Sequence, residues 1–156
     1  MKKIILLCIV IVAMTACKSK SATATRLDRG TQVALKGNWT LSKVVFPGSD
    51  YIKINAFDLA DSKCFVGSQW KFISNNNKEE FALNQGNCPA YSSPITWFIN
   101  DEGKFVMKIL DESKAKKVKE GYVLSVANVT DSSFELIDTA NVGGKSVQVV
   151  YQFVRN

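Results

Sequence analysis

The stretch KSVQVVYQFVRN, residues 145–156, alternates apolar and polar side chains over most of its length. Its apolar side chains at every second position are Val147, Val149, Tyr151 and Phe153. In an extended chain such side chains share one face, so the stretch predicts a strand with one buried face. Arg155 follows the last alternating residue.

The same period of two recurs upstream, without a convincing amphipathic helix. We predict strands over residues 38–46, 69–74, 79–84, 95–100, 104–110, 121–129, 133–138 and 145–154. Short and long links alternate between them, which predicts one barrel end closed by tight turns and another fringed by long loops. Eight such antiparallel strands most simply close into a barrel, which removes exposed sheet edges. We therefore expect an all-β, eight-stranded antiparallel up-and-down barrel without a C-terminal helix.

The first predicted strand begins with Gly37-Asn38-Trp39, which resembles the Gly-x-Trp motif of the lipocalins. That resemblance implies a barrel with a cup for a small hydrophobic ligand. It also implies that the motif tryptophan lies at the closed end under an arginine placed after the last strand, and Arg155 matches that position. Gly37, Trp39 and Arg155 are thus the expected structural motif. The chain also resembles the short lipocalin-like lipoproteins of Bacteroidetes.

The N-terminus has the pattern of an export signal. Two lysines precede the apolar run IILLCIVIVA, residues 4–13, which is too short to span a bilayer. The following MTAC, residues 14–17, resembles the lipobox of bacterial lipoproteins and implies a lipid on Cys17. The alternative is an ordinary signal peptide cut after Ala16, with Cys17 incidental. The expected organisation is a signal peptide at 1–16, a lipidated tether at 17–30 and a lipocalin-like barrel at 31–156.

A lipid on Cys17 predicts attachment to the outer membrane through the anchor alone. The tether carries no acidic cluster resembling a surface-export signal, so we expect the protein to face the periplasm, with the cell surface as the alternative. The tether joins the first strand at the closed end. The barrel mouth is therefore expected to face away from the anchoring membrane.

Cysteine usage agrees with export. The four cysteines are Cys8, Cys17, Cys64 and Cys88. After removal of the signal and lipidation, Cys64 and Cys88 remain as a pair, which predicts one disulfide; two free buried thiols are the alternative. The sequence has no histidine, so we expect no metal site, no cofactor and no Ser-His or Cys-His catalytic pair. We predict that the protein is not an enzyme.

Apolar side chains near the expected mouth are the candidate ligand contacts, although core packing is the commoner role for such residues. They are Val45, Trp70, Leu83, Ile95, Trp97, Ile109, Tyr122 and Val147. A basic run at the rim is either a solvated loop or an attractor of anionic head groups. It comprises Lys114, Lys116, Lys117 and Lys119. The net charge of +6 is spread along the chain and does not indicate nucleic-acid binding.

Two functions follow from these observations. The first is a lipid-anchored protein that binds a small hydrophobic or amphipathic ligand in its cup. The second is a non-enzymatic accessory subunit of an outer-membrane assembly, with a filled barrel and a protein partner on its apolar outer face. The expected outer face comprises Val44, Phe46, Ile73, Phe98, Val106, Leu110, Val150 and Val154. Asp138-Thr139-Ala140 also resembles an O-glycosylation sequon of Bacteroidetes, which predicts modification at Thr139.

Overall fold

A computed structural model of the chain describes residues 30–48, 53–73, 79–83, 86–110 and 121–156. One helical turn at residues 30–34 precedes the strands. The further elements are β1 (Gly37–Val45), β2 (Asn55–Ala56), β3 (Ala60–Asp61), a 3-10 helix (Ser62–Phe65), β4 (Gln69–Phe72), β5 (Glu79–Leu83), β6 (Tyr91–Ile99), β7 (Phe105–Ile109), β8 (Tyr122–Ala127), β9 (Ser133–Val142) and β10 (Lys145–Arg155).

Eight of these strands form a closed barrel in the order β1-β10-β9-β8-β7-β6-β5-β4. All neighbours are antiparallel, and β1 pairs with both β10 and β4, which closes the sheet on itself. The predicted eight-stranded antiparallel barrel, the architecture of the lipocalin fold, is therefore confirmed. No helix follows β10 in the described residues. In these ranges, no helix has the length and apolar character needed to cross a membrane.

The barrel has two distinct ends. We call the end where β1 begins and β10 ends the closed end, and the opposite end the mouth. At the closed end, the Arg155 amide donates to the carbonyl of Ser132 in the tight β8–β9 connection, at 2.9 Å. The long segment between β1 and β4 crosses the mouth, and it contains the small β2–β3 hairpin and the 3-10 helix. The sequence did not predict these three short elements.

The hairpin of β9 and β10 extends further toward the mouth than predicted. β9 ends at Val142, beyond the predicted end at residue 138, and Val142 pairs with Lys145. Gly143 and Gly144 make the connection with φ angles of 58° and 81°, which suit the twist of a two-residue hairpin turn. This link is therefore a tight turn, and the predicted strict alternation of short and long links is wrong here.

A β-bulge in β1 changes which of its side chains face the core. The pairing with β10 shifts between Leu41 and Lys43, and such an extra residue reverses the inward and outward positions beyond it. Val44 accordingly packs against the core, whereas Val45 pairs with Val150 and neither of these two belongs to the core cluster. The expectation that Val45 faces the barrel interior, on which its prediction as a ligand contact depended, is wrong for this reason.

The same shift corrects the predicted outer face. Phe46 is only 5% exposed and belongs to the core, and Val44 packs against it. The outer wall keeps its apolar character elsewhere, since Phe98 is 47% exposed and Val154 is 41% exposed.

Candidate functional site

The closed end is sealed by Trp39, which is fully buried. Its indole N–H donates to the carbonyl of Leu35 at 2.9 Å, and the guanidinium carbon of Arg155 lies 4.2 Å from the centre of its ring. This separation lies within the range of a cation–π contact. The arginine donates to backbone carbonyls of Ala34, Lys36 and Asp131. The arrangement is structural, as the lipocalin resemblance implies.

Gly37 is part of the same seal. A Cβ at this position would lie 2.5 Å from a terminal nitrogen of Arg155, and the backbone has a φ of 139°. Both the close approach and the dihedral angle favour glycine. The Gly-x-Trp spacing therefore places a residue without a side chain beneath the arginine that covers Trp39.

The predicted disulfide between Cys64 and Cys88 is confirmed, with Cα atoms 5.6 Å apart. Cys64 lies in the 3-10 helix, and Cys88 lies just before β6. The bond therefore ties the segment that crosses the mouth to the barrel wall. On the 3-10 helix, Phe65 is fully buried against Trp70 and Phe81.

The β2–β3 hairpin places Phe57 inside the mouth, where the side chain is only 6% exposed. The ring stacks on Tyr151 with centres 5.5 Å apart, and it meets the edges of Tyr122 and Phe65 at 5.1 and 5.3 Å. Below it lies Trp70, at 6.4 Å. The Phe57 side chain therefore fills the mouth of the barrel, and we call it the stopper.

The hairpin tip adopts an uncommon backbone conformation. Phe57 and its neighbour Asp58 both have a φ of 54°, a region that bulky residues rarely occupy. The Tyr122 hydroxyl donates to the Phe57 carbonyl at 2.6 Å and lies 3.5 Å from a carboxylate oxygen of Asp58. Burial, followed by the charge and hydrogen bond of Asp58, raises the pKa of Tyr122 to about 12. Tyr122 thus holds the stopper in place in its neutral form.

Seven of the eight predicted ligand contacts lie in or against the core. The buried members are Trp70, Leu83, Ile95 and Trp97, and the half-buried members that pack against the core are Ile109, Tyr122 and Val147. Tyr122 touches Phe57 directly, and Trp70 lies beneath it. The Trp70 N–H is satisfied by the Ser68 hydroxyl at 2.7 Å, so it offers no free polar group. Whether these residues contact a ligand stays a prediction.

Three residues of the mouth were absent from the predicted contacts: Phe57, Tyr151 and Asp138. The residues around Phe57 lack the Asn-Gly or Asp-Gly signal of a tight hairpin, so nothing marked its insertion. Asp138 stood at the predicted end of its strand. Its inward phase follows from Leu136, two residues earlier in the same predicted strand, and both Leu136 and Ala140 pack in or against the core.

Several buried polar groups in the barrel lack partners. The Tyr151 hydroxyl and the Trp97 indole N–H are buried without a hydrogen-bond partner among the described residues. Burial, and then the charge of Asp138, raises the pKa of Tyr151 above its usual value. Because unpaired buried polar atoms are uncommon in folded proteins, these two call for an explanation.

The remaining predictions concern the glycosylation site, the lipidation site, the basic run and metal binding. Thr139 is exposed on β9, and its modification stays a prediction. Cys17 and the basic run at residues 114–119 lie outside the described residues. Within the described part of the chain, no group of three or more acidic or cysteine side chains is placed to hold a metal ion.

Comparisons with known proteins give little further information. No protein-family model matches the sequence, and no curated protein matches it either. Among solved structures, the chain is similar to bovine odorant binding protein in complex with a selenium-containing odorant, at 12% identity and a TM-score of 0.44, over 80% of this chain and 72% of that one. It is also similar to bovine odorant binding protein with its natural ligand, at 11% identity and a TM-score of 0.43, over 79% and 72% of the two chains. These likenesses are too distant to indicate what this chain binds.

Proposed function

We propose that this chain is a lipid-anchored barrel that binds a small hydrophobic or amphipathic molecule in the mouth half of its interior. The observation that carries this proposal is the position of Phe57, whose ring fills the mouth from a backbone with φ of 54°. A left-handed conformation costs a residue with a side chain about 1–2 kcal/mol. A stopper that is held at such a cost is easier to displace than a side chain of the barrel wall.

The surroundings of Phe57 suit an apolar guest. Tyr151 and Trp70 lie on its barrel side, and Tyr122 and Phe65 surround its edges. When the hairpin moves outward, these aromatic surfaces become available to a ligand of similar size. Burial of the ligand's apolar surface then offsets the loss of the Phe57 contacts at about 25 cal/mol per Å².

Titration with an uncharged fluorescent probe, N-phenylnaphthylamine, tests this function. We expect the full chain to bind the probe and Phe57→Ala to bind it several-fold more tightly, because the stopper no longer competes. Phe98→Ala, on the exposed outer wall, is the matched control and should bind like the unaltered chain. Absence of binding by both the unaltered chain and a folded Phe57→Ala variant would contradict the proposal. If Phe57→Ala does not fold, Phe57→Leu replaces it in the same titration.

We propose that the anchor is a lipid on Cys17 and that the barrel faces the periplasm from the outer membrane. The sequence MTAC after a short apolar run supports the anchor. Cys17→Ser should yield an unlipidated precursor that no longer partitions into detergent, and unchanged partitioning contradicts the proposal. Protease treatment of intact cells tests the location. Prompt degradation, with a periplasmic control spared, would put the protein on the cell surface.

The outer wall favours the accessory subunit as a second candidate function. Phe98 on β6 and Val123 on β8 are 47% and 56% exposed, and they flank Val106 of β7, which pairs with both and is itself only 8% exposed. A contiguous apolar strip of this kind is a feature of protein interaction surfaces. Native mass spectrometry of the protein extracted from its own membrane distinguishes the candidates, because it detects either a bound small molecule or a protein partner.

A further inference from the structure

Asp138 places a carboxylate on the inner wall of the barrel. In the β9–β10 pairing it lies directly opposite Val149, and residues that are directly opposite point to the same face of a sheet. Val149 is fully buried in the core, so Asp138 faces inward as well. The two neighbouring inward positions of β9, Leu136 and Ala140, also pack in or against the core.

The hydroxyl of Tyr151 completes a polar pair on this wall. Tyr151 is 1% exposed, and its hydroxyl has no hydrogen-bond partner among the described residues. It lies diagonally from Asp138 across the two strands, since it pairs with Leu136, two residues before that aspartate. One Asp138 carboxylate oxygen accepts a hydrogen bond from the Thr139 amide at 2.7 Å. In the described part of the chain, no lysine or arginine forms an ion pair with Asp138.

We propose that the mouth half of the barrel selects amphipathic molecules with a protonated amine head group, which Asp138 and Tyr151 recognise. This inference rests on the proposed function and names the class of its ligand. An alkylammonium group has N–H donors and no acceptor. It can donate to the Asp138 carboxylate and to the Tyr151 oxygen, both of which can accept.

The aromatic surroundings support the same choice. Tyr151 stacks on Phe57, and Phe57 meets Tyr122, so three aromatic rings lie together at the mouth, one of them on the strand that pairs with the strand of Asp138. Cations are attracted to such faces, more strongly where water is excluded. A carboxylate head group should bind more weakly, because Asp58 at the hairpin tip and Asp138 on the wall both repel it.

Three probes with the same alkyl chain separate the possibilities: dodecylamine, dodecanol and dodecanoate, each titrated below its micelle concentration by calorimetry. We expect the full chain to bind dodecylamine about tenfold more tightly than dodecanol, and dodecanoate weakest, because a charge-assisted hydrogen bond contributes more than a neutral one and like charges repel. Asp138→Asn should abolish the preference for dodecylamine over dodecanol. Glu102→Gln, the same charge change on an exposed turn at the closed end, should keep the preference.

Tyr151→Phe gives a second test with minimal change of shape, because it removes only the hydroxyl oxygen. It should lower the affinity for dodecylamine several-fold relative to dodecanol. Equal binding of all three probes, or an amine preference that survives Asp138→Asn, overturns this inference while leaving the proposed function intact. Absence of binding of all three probes, including by Phe57→Ala, overturns the proposed function and this inference with it.

Discussion

At the closed end each nitrogen of the Trp39 and Arg155 side chains finds a backbone carbonyl, whereas at the mouth the Tyr151 hydroxyl is buried without a partner in the described residues. At positive φ the closed end has Gly37 and Asn128, residue types that tolerate such an angle, whereas the mouth has Phe57, a bulky residue that rarely adopts it. The contact of Trp39 with Arg155 therefore satisfies its own polar groups, whereas at the mouth the Phe57 backbone is strained and the Tyr151 hydroxyl is unpaired among the described residues. Such a difference within one barrel is typical of a rigid base and a functional opening.

The largest expected effect is the difference between Trp39→Ala and Phe57→Gly. Trp39→Ala should lower the free energy of unfolding by about 3–5 kcal/mol, because it leaves a cavity in a fully buried site. Phe57→Gly loses apolar burial but relieves the left-handed backbone, so the net loss should be only about 1 kcal/mol. Guanidinium unfolding followed by tryptophan fluorescence measures both values. Equal losses would mean that Phe57 is an ordinary core residue and not a stopper.

The disulfide is expected to be the main covalent restraint on the mouth. Replacing Cys64 and Cys88 together by serine should lower the free energy of unfolding by about 3 kcal/mol, as the chain-entropy model gives for a loop of this size. The same double variant should accelerate amide hydrogen exchange in the β2–β3 hairpin more than in the first residues of β1. Uniform acceleration at both ends would show that the bond stabilises the whole barrel and does not act locally on the mouth.

The structure of the closed end could be predicted from the sequence, whereas most of the structure of the mouth could not. The alternation in residues 145–154 and the spacing of Gly37, Trp39 and Arg155 depend on local period and on strand order, both of which can be read from one chain. The stopper depends on a non-local insertion, because Phe57 enters the mouth from a link with no turn signal of its own. The bulge in β1 likewise reversed Val44 and Val45, because an extra residue inverts the period of two, and the prediction continued one phase through the whole strand.

A smaller effect is expected for Arg155→Lys. Lysine keeps the positive charge over Trp39 but loses the planar fork that reaches three carbonyls. We expect a loss of roughly 1–2 kcal/mol in the free energy of unfolding, with unchanged binding of alkylammonium probes at the far end. Thermal and guanidinium unfolding measure the first quantity, and calorimetry measures the second. A change in probe affinity would indicate that the two ends are coupled.

The smallest expected effect is that of Tyr122→Phe, which removes the hydroxyl that donates to the Phe57 carbonyl. At neutral pH the variant should lose about 1 kcal/mol in the free energy of unfolding, the usual contribution of one hydrogen bond.

The folded-state pKa of Tyr122 is about 12, raised from 10.0. The neutral phenol is therefore favoured by folding, and its contribution is complete below pH 10 and declines as the pH rises toward 12. The stability difference between the unaltered chain and the variant should accordingly fall as the pH rises from about 10 toward about 12, pass through zero and reverse its sign, because a pKa shift of this size outweighs one hydrogen bond. Measuring both proteins across this range removes the shared contribution of Tyr151, whose pKa is also raised. A difference that stays constant with pH would show that the Tyr122 hydroxyl titrates as it does in an unfolded chain, and that it does not hold the stopper.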